Sequence, residues 1–171
     1  DLGVKRMDAL LDEYGPETVQ AALAALGNRA ETLMRADLAA LPDGRWLAED
    51  FLDNDGITDA PLPIRVALEI KGDEMVLDFT STAPATAGPV NIALPTAVAT
   101  AYVAIKHIFP EIPANAGVMR PITVRVPEAS LLSAEFPAPV GGYTETILRM
   151  IDVIFSAMAQ AAPERVVANA Y

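Results

Sequence analysis

Two runs of alternating apolar and polar residues flank the dipeptide Gly72-Asp73, and this pattern constrains the fold more than any other feature. A period of two residues is typical of a strand with one buried face. Gly-Asp is a favoured two-residue connection between antiparallel strands. The pattern therefore predicts a β-hairpin. Its buried face is expected to carry Ile64, Val66, Leu68 and Ile70 before the turn and Met75, Leu77 and Phe79 after it.

Two further strands and four helices surround the hairpin. Residues 45–52 are predicted to form a strand across the turn at 53–63, and Ile122, Val124 and Val126 alternate in the same way. Apolar residues at three- and four-residue spacing predict helices over about residues 3–14, 16–41, 95–109 and 144–162. The second helix is expected to bury one continuous stripe: Val19, Ala22, Leu23, Leu26, Ala30, Leu33, Met34, Leu38 and Leu41.

Helices in separate blocks from hairpin-linked strands indicate an α+β fold, with a mostly antiparallel sheet packed with several helices. We expect a helical segment over residues 1–43 and an α+β segment over residues 44–171.

Composition excludes several classes of function. The net charge is −11, from 12 Lys and Arg against 23 Asp and Glu, which argues against nucleic acid as a partner. Cysteine is absent, so disulfides and thiol nucleophiles are excluded, and a cytoplasmic location is the expectation. No run of about 18 apolar residues predicts a membrane span. Phosphate-binding and dinucleotide-binding glycine motifs are also absent.

The segment Gly141-Gly142-Tyr143-Thr144-Glu145-Thr146 places two glycines at the start of the fourth helix. Backbone N–H groups at such a turn can hold an anion or a developing oxyanion. The alternative is an ordinary helix N-terminus, with Thr144 or Thr146 as the cap and Glu145 as a first-turn acid.

Asn91 and Arg120 are two further candidates. Asn91 follows the Gly88-Pro89-Val90 turn, where it could border a cleft or simply cap a structural turn. Arg120 could bind a carboxylate or phosphate through a bidentate pair of hydrogen bonds, or it could pair with a neighbouring acidic residue.

Two other features, the acidic run and the single histidine, are not predicted to form a functional site. The acidic run over residues 49–59 lacks the spacing of a twelve-residue calcium loop, so a solvated acidic loop is predicted. His107 is the single histidine, and nothing near it in sequence suggests a nucleophile that it could activate.

Several short motifs, taken in order along nearly the whole chain, resemble the hydantoinase B/oxoprolinase family. The family usually has Asn where this chain has Tyr143, whereas the glycine-to-Glu-Thr turn itself is similar. The matching segments are residues 40–46, 49–56, 78–81, 88–91, 112–117, 120–121 and 141–146.

The resemblance implies a part of a larger multi-domain subunit of an ATP-dependent cyclic-amide hydrolase, acting on a hydantoin, 5-oxoproline or a lactam. It implies a hydantoinase A-type partner that binds ATP. One alternative is a subunit of an acetone or acetophenone carboxylase. Another is a non-catalytic structural or interaction module of such a complex.

The resemblance also sets expectations for the site. Gly141, Gly142, Thr144 and Glu145 are the expected substrate-binding residues, with Asn91 and Arg120 behind them. The family's divalent-metal ligands lie in its N-terminal part, so we expect no cofactor on this stretch itself. The chain begins Asp1-Leu2-Gly3 without an initiator Met, which suggests an internal fragment that is inactive in isolation.

Overall fold

The computed structural model describes residues 1–166 and shows four helices around one four-stranded sheet. The α-helices are α1 (Leu2–Tyr14), α2 (Pro16–Ala39), α3 (Leu94–Ile108) and α4 (Tyr143–Ala161). The strands are β1 (Gly44–Leu52), β2 (Leu62–Lys71), β3 (Glu74–Asp78) and β4 (Ile122–Arg125). Short 3-10 helices span Ala116–Met119 and Pro163–Arg165. Residues 167–171 of the predicted second segment lie outside the described residues.

The predicted hairpin is confirmed. β2 and β3 pair antiparallel, with Lys71 opposite Glu74 across the Gly72-Asp73 turn. Gly72 has φ +60, a conformation that glycine adopts without a Cβ clash. The apolar residues of both strands are buried as predicted: α4 packs against β1 and β2, and α2 contacts β3.

The sheet has the order β1-β2-β3-β4 and is mixed. β1 pairs antiparallel with β2, whereas β3 and β4 pair parallel. α3 lies in the long connection from β3 to β4, as a parallel pair requires. The α+β prediction with a mostly antiparallel sheet is therefore confirmed, and the parallel pair is a feature that the local pattern does not reveal.

The four predicted helices are confirmed, but the predicted buried stripe on α2 is wrong over its first half. α2 itself buries only Ala30, Met34 and Leu38, while Leu23, Leu26 and Leu33 are exposed. Periodicity identifies residues that share a face without showing what covers that face. Only the second half of α2 packs onto the main core; the first half lies beside α1, which buries no residue.

Candidate functional site

The glycine turn at the start of α4 is already engaged with the rest of the fold. Gly142 is the N-cap residue, and its backbone N–H donates a 2.8 Å hydrogen bond to the carbonyl of Pro89. Of the two amides expected to face an oxyanion, that of Gly142 therefore has an internal acceptor. Gly141 is exposed beside it. A Cβ placed on Gly141 would meet nothing nearer than the Pro89 side chain, at 4.0 Å.

Neither threonine caps α4, so the predicted threonine cap is wrong. Thr146 lies inside the first turn of the helix, fully buried, and its hydroxyl donates to the carbonyl of Val90. Thr144 and Glu145 face outward. The hydroxyl of Thr146 is therefore used to hold α4 against the segment before α3.

Asn91 is completely buried, and its side chain closes the same turn. Its amide nitrogen lies 2.9 Å from each of three carbonyl oxygens that accept from it, those of Thr86, Gly88 and Pro139. Its amide oxygen accepts from the N–H of Thr86 at 2.9 Å. Asn91 thus ties the 86–91 segment to the residues that lead into the glycine turn.

Asp55 is the residue that sequence reasoning missed. The acidic run was predicted to be a solvated loop, which is wrong for this carboxylate, because Asp55 is only 1% exposed. One oxygen accepts from the N–H groups of Ile57 and Thr58 and from the Thr58 hydroxyl. The other accepts from the Thr86 hydroxyl and from the N–H of Gly88.

This donor set favours the charged carboxylate. Hydrogen bonds from the N–H of Thr58, the hydroxyl of Thr86 and the N–H of Ile57 hold the pKa of Asp55 far below its ordinary value, against the opposing effect of burial. Asp55 is therefore an anion at any physiological pH, and its role is to organise the 55–58 and 86–88 segments. The only sequence signal was its Asp-Gly step, which indicates a turn without indicating burial.

A concavity of about 200 Å³ lies beside the first turn of α4. Of the predicted site residues, Glu145 lines it. Arg149, one turn further along, is also in the wall and bonds Asp50 at 3.1 Å. The full lining is Phe51, Leu52, Asp53, Asn54, Val90, Glu145 and Arg149.

Arg120 lies in a different part of the molecule. Its guanidinium bonds the side chains of Asn28 at 2.8 Å and Glu31 at 3.0 Å, both on α2. These contacts hold the 3-10 helix Ala116–Met119 against α2. The structure therefore brings together the glycine turn and Asn91 but leaves Arg120 apart from them.

Two remaining candidate features are accounted for by ordinary contacts. His107 Nδ1 donates to the carbonyl of Val103 at 2.8 Å, and its ring meets Phe155 edge-on at 6.2 Å. Within residues 1–166, no group of three or more His, Cys, Asp or Glu residues is arranged to hold a metal ion. Nor does any helix in that range have the length and apolar character needed to cross a membrane.

Comparison with known proteins identifies the family. The hydantoinase B/oxoprolinase family model matches residues 1–171. The chain belongs to the hydantoinase B/oxoprolinase family. It is 34% identical to the B-type subunit of a putative D-/L-hydantoinase from Pseudomonas sp. strain NS671, over 98% of this chain and 30% of that protein. It is 31% identical to the beta subunit of caprolactamase from Pseudomonas jessenii, over 98% of this chain and 29% of that protein.

Solved structures show the same hydantoinase B-type fold. The crystal structure of ATP-dependent caprolactamase from Pseudomonas jessenii matches 96% of this chain with a TM-score of 0.86 and 29% identity. That match covers 29% of the caprolactamase chain. A nucleotide-free acetone carboxylase structure matches with a TM-score of 0.77 at 13% identity, which is a likeness of fold. The chain thus spans about a third or less of the length of these relatives.

Proposed function

We propose that this chain forms the hydantoinase B-type portion of an ATP-dependent cyclic-amide hydrolase. The observation that carries the proposal is the match to ATP-dependent caprolactamase, which extends over 96% of this chain. Relatives named for hydantoin and caprolactam chemistry point to the same bond type, an amide within a ring. The acetone carboxylase likeness concerns the fold alone, so the carboxylase alternative has no separate support.

An unactivated ring amide is a poor electrophile, so its opening needs a strong source of activation. We propose that ATP is bound by a hydantoinase A-type partner and that any divalent metal is held elsewhere in a longer B-type subunit. Residues 1–166 contain no metal-binding cluster, and no step of the reaction is assigned to a metal on them. The longer protein is proposed to work in the cytoplasm.

Within this portion, the proposed substrate-facing element is the glycine turn with the first turn of α4. Gly141, Thr144 and Glu145 are exposed there, and Glu145 borders the 200 Å³ concavity. Gly142 and Asn91 hold the turn in place through Pro89 and Pro139. Arg120 is engaged with α2, so the proposal gives it a structural role.

The test is a substrate panel for the intact protein with its A-type partner. Hydantoin, 5-oxoproline and caprolactam are each supplied with ATP and a divalent metal, and the ring-opened acid is quantified. In parallel, acetone and acetophenone are supplied with ATP and bicarbonate. Ring opening of at least one cyclic amide supports the proposal, and carboxylation of a ketone with no ring opening overturns it.

A further inference from the structure

The outer edge of β1 is an unpaired strand edge, because β1 stands at one end of the sheet in residues 1–166. The pair that flanks a two-residue turn, here Lys71 and Glu74, is hydrogen-bonded. Odd-numbered residues of β2 therefore bond to β3, and even-numbered ones bond to β1. In the β1–β2 pairing, even-numbered residues of β1 stand opposite even-numbered residues of β2 and bond to them. The odd-numbered residues of β1 therefore direct their backbone N–H and C=O groups toward the outer edge of the sheet.

Two side-chain contacts agree with this assignment. The carbonyl of Leu47 accepts from the side-chain amide of Gln160 at 2.9 Å, and the N–H of Phe51 donates to the carboxylate of Asp50 at 2.8 Å. Both backbone groups therefore lie on the outer edge, where only side chains of the same chain contact them, and the Leu47 carbonyl keeps a second lone pair for another strand. Such an edge is a template for pairing with another strand.

The side chains of the same odd residues lie on the open face of the sheet, opposite α4. Leu47 is 65% exposed there, between Arg45 and Glu49. Glu49 pairs with Arg65 on β2, and Arg45 is exposed, with its charge close enough to Asp78 to help lower the pKa of that carboxyl. An exposed leucine thus has a cation on one side and an anion on the other.

We propose that β1 pairs antiparallel with β1 of a second copy of this chain, with Leu47 opposite Leu47 at the two-fold axis. In this register Arg45 lies opposite Glu49 of the second copy, and Glu49 lies opposite its Arg45. A two-fold axis makes both contacts at once, as an isologous interface requires. Directly opposed charges of unlike sign stabilise neighbouring strands.

The pairing also continues the rows already present within each sheet. Arg45 stands opposite Glu69 on β2, and Glu49 stands opposite Arg65. One row of side chains would therefore cross both copies. It contains Glu69 and Arg45 of one copy, then Glu49 and Arg65 of the second copy, and the charge changes sign at each step. The central row joins Ala67 and Leu47 of one copy to the same apolar residues of the other.

Neighbouring registers lack this complementarity. A shift of two residues in one direction places Arg45 opposite Leu47 and Glu49 opposite Asp43, just before β1; in the other direction Arg45 meets Phe51 and Glu49 meets Leu47. A shift of four places Arg45 opposite Arg45 or Glu49 opposite Glu49, which opposes like charges. The contact is nine residues long, so we expect a weak dimer that dissociates on dilution.

The test is sedimentation velocity of the intact protein over a dilution series up to about 200 µM, a range suited to a small interface. Arg45→Glu and Glu49→Arg, each alone, turn both cross-axis pairs into like-charge pairs and should weaken dimerisation at least about tenfold. An equimolar mixture of the two variants makes both pairs complementary again and should restore the dimer. Lys71→Glu, a charge reversal away from the edge, is the matched control and should dimerise as the wild type does.

Three results would overturn the proposal. The first is a wild-type protein that stays monomeric over the whole range. The second is a dimer that both variants leave unchanged or that their mixture fails to restore. The third is hydrogen exchange in which the amides of Arg45, Leu47 and Glu49 are equally protected at all concentrations, since another strand of the same polypeptide would then occupy the edge.

Discussion

The carboxylate of Asp55 accepts a 3.2 Å hydrogen bond from the N–H of Gly88, which lies 33 residues further along the chain. The two backbones meet closely enough that a Cβ on Gly88 would overlap the carbonyl oxygen of Asp55 and lie 2.7 Å from its carbonyl carbon. Gly88 in turn accepts from Asn91, which also bonds Pro139 ahead of the glycine turn. A buried anion and a glycine contact therefore fix the segment on which the candidate site rests.

Gly88→Ala should destabilise the protein by about 1–3 kcal/mol, because backbone atoms rather than a flexible side chain fill the space that the methyl group needs. Urea unfolding at neutral pH measures the change. Gly141→Ala is the matched control, since its new methyl group would find nothing nearer than 4.0 Å. Equal stability of the two variants would show that the close approach of residues 55 and 88 is not present.

Asp55→Asn should destabilise the fold and flatten its acid-side pH dependence. The folded-state pKa of Asp55 is depressed below its ordinary 3.8, so its contribution is complete above that value and is lost as the pH falls below about 4. In the variant, whichever way the amide is turned, its NH₂ group faces N–H donors. Thermal melts between pH 2.5 and 7 measure both effects.

The exposed Asp59→Asn provides the control for that experiment. The difference in melting temperature between wild type and Asp55→Asn should be largest at neutral pH and should shrink in acid. A difference that is constant with pH would contradict the depressed pKa of Asp55.

Thr146→Val should cost about 0.5–1.5 kcal/mol, because it keeps the shape of the buried side chain but removes the hydroxyl that bonds the carbonyl of the half-buried Val90. Thr144→Val, two residues earlier and exposed, should change stability by less than about 0.5 kcal/mol. Chemical denaturation of both variants gives the comparison. A larger loss from Thr144→Val would mean that residue 144 holds the start of α4.

Arg120→Ala should reduce stability by about 0.2–1 kcal/mol, the range for a solvent-accessible ion pair, through its contacts with Asn28 and Glu31. Catalytic efficiency should stay within about twofold of wild type. If kcat/KM falls at least about tenfold while the melting temperature hardly changes, Arg120 belongs to the substrate site after all.

Local sequence patterns were sufficient to predict those helices, strands and turns that depend only on residues close together in the sequence. Pro16 and Pro95 near helix starts, the Gly72-Asp73 turn and the alternation over residues 64–79 each predicted an element that the structure contains. The parallel pairing of β3 with β4 was not predictable in this way, since it depends on the long connection through α3.

The candidate site was harder to predict for the same reason. The burial of Asp55 is set by Thr86 and Gly88, which are remote in sequence, so the acidic run had the pattern of a solvated loop. Asn91 and the glycine turn were singled out separately, and only the fold shows that Pro89 and Pro139 join them. A guanidinium such as that of Arg120 can bind an anionic substrate, but its actual partners on α2 are about 90 residues away in sequence. The sequence around Arg120 therefore could not reveal them.

The most direct test of the account is the kcat/KM for ATP-dependent opening of a cyclic amide, measured for the intact complex as wild type and as Glu145→Ala. Glu145 is exposed and borders the 200 Å³ concavity, so the variant should fold with a nearly unchanged melting temperature. We expect wild-type ring opening that requires ATP and a fall of at least about tenfold in the variant. Absence of ring opening by the wild type, or equal kcat/KM in a folded variant, would contradict the account.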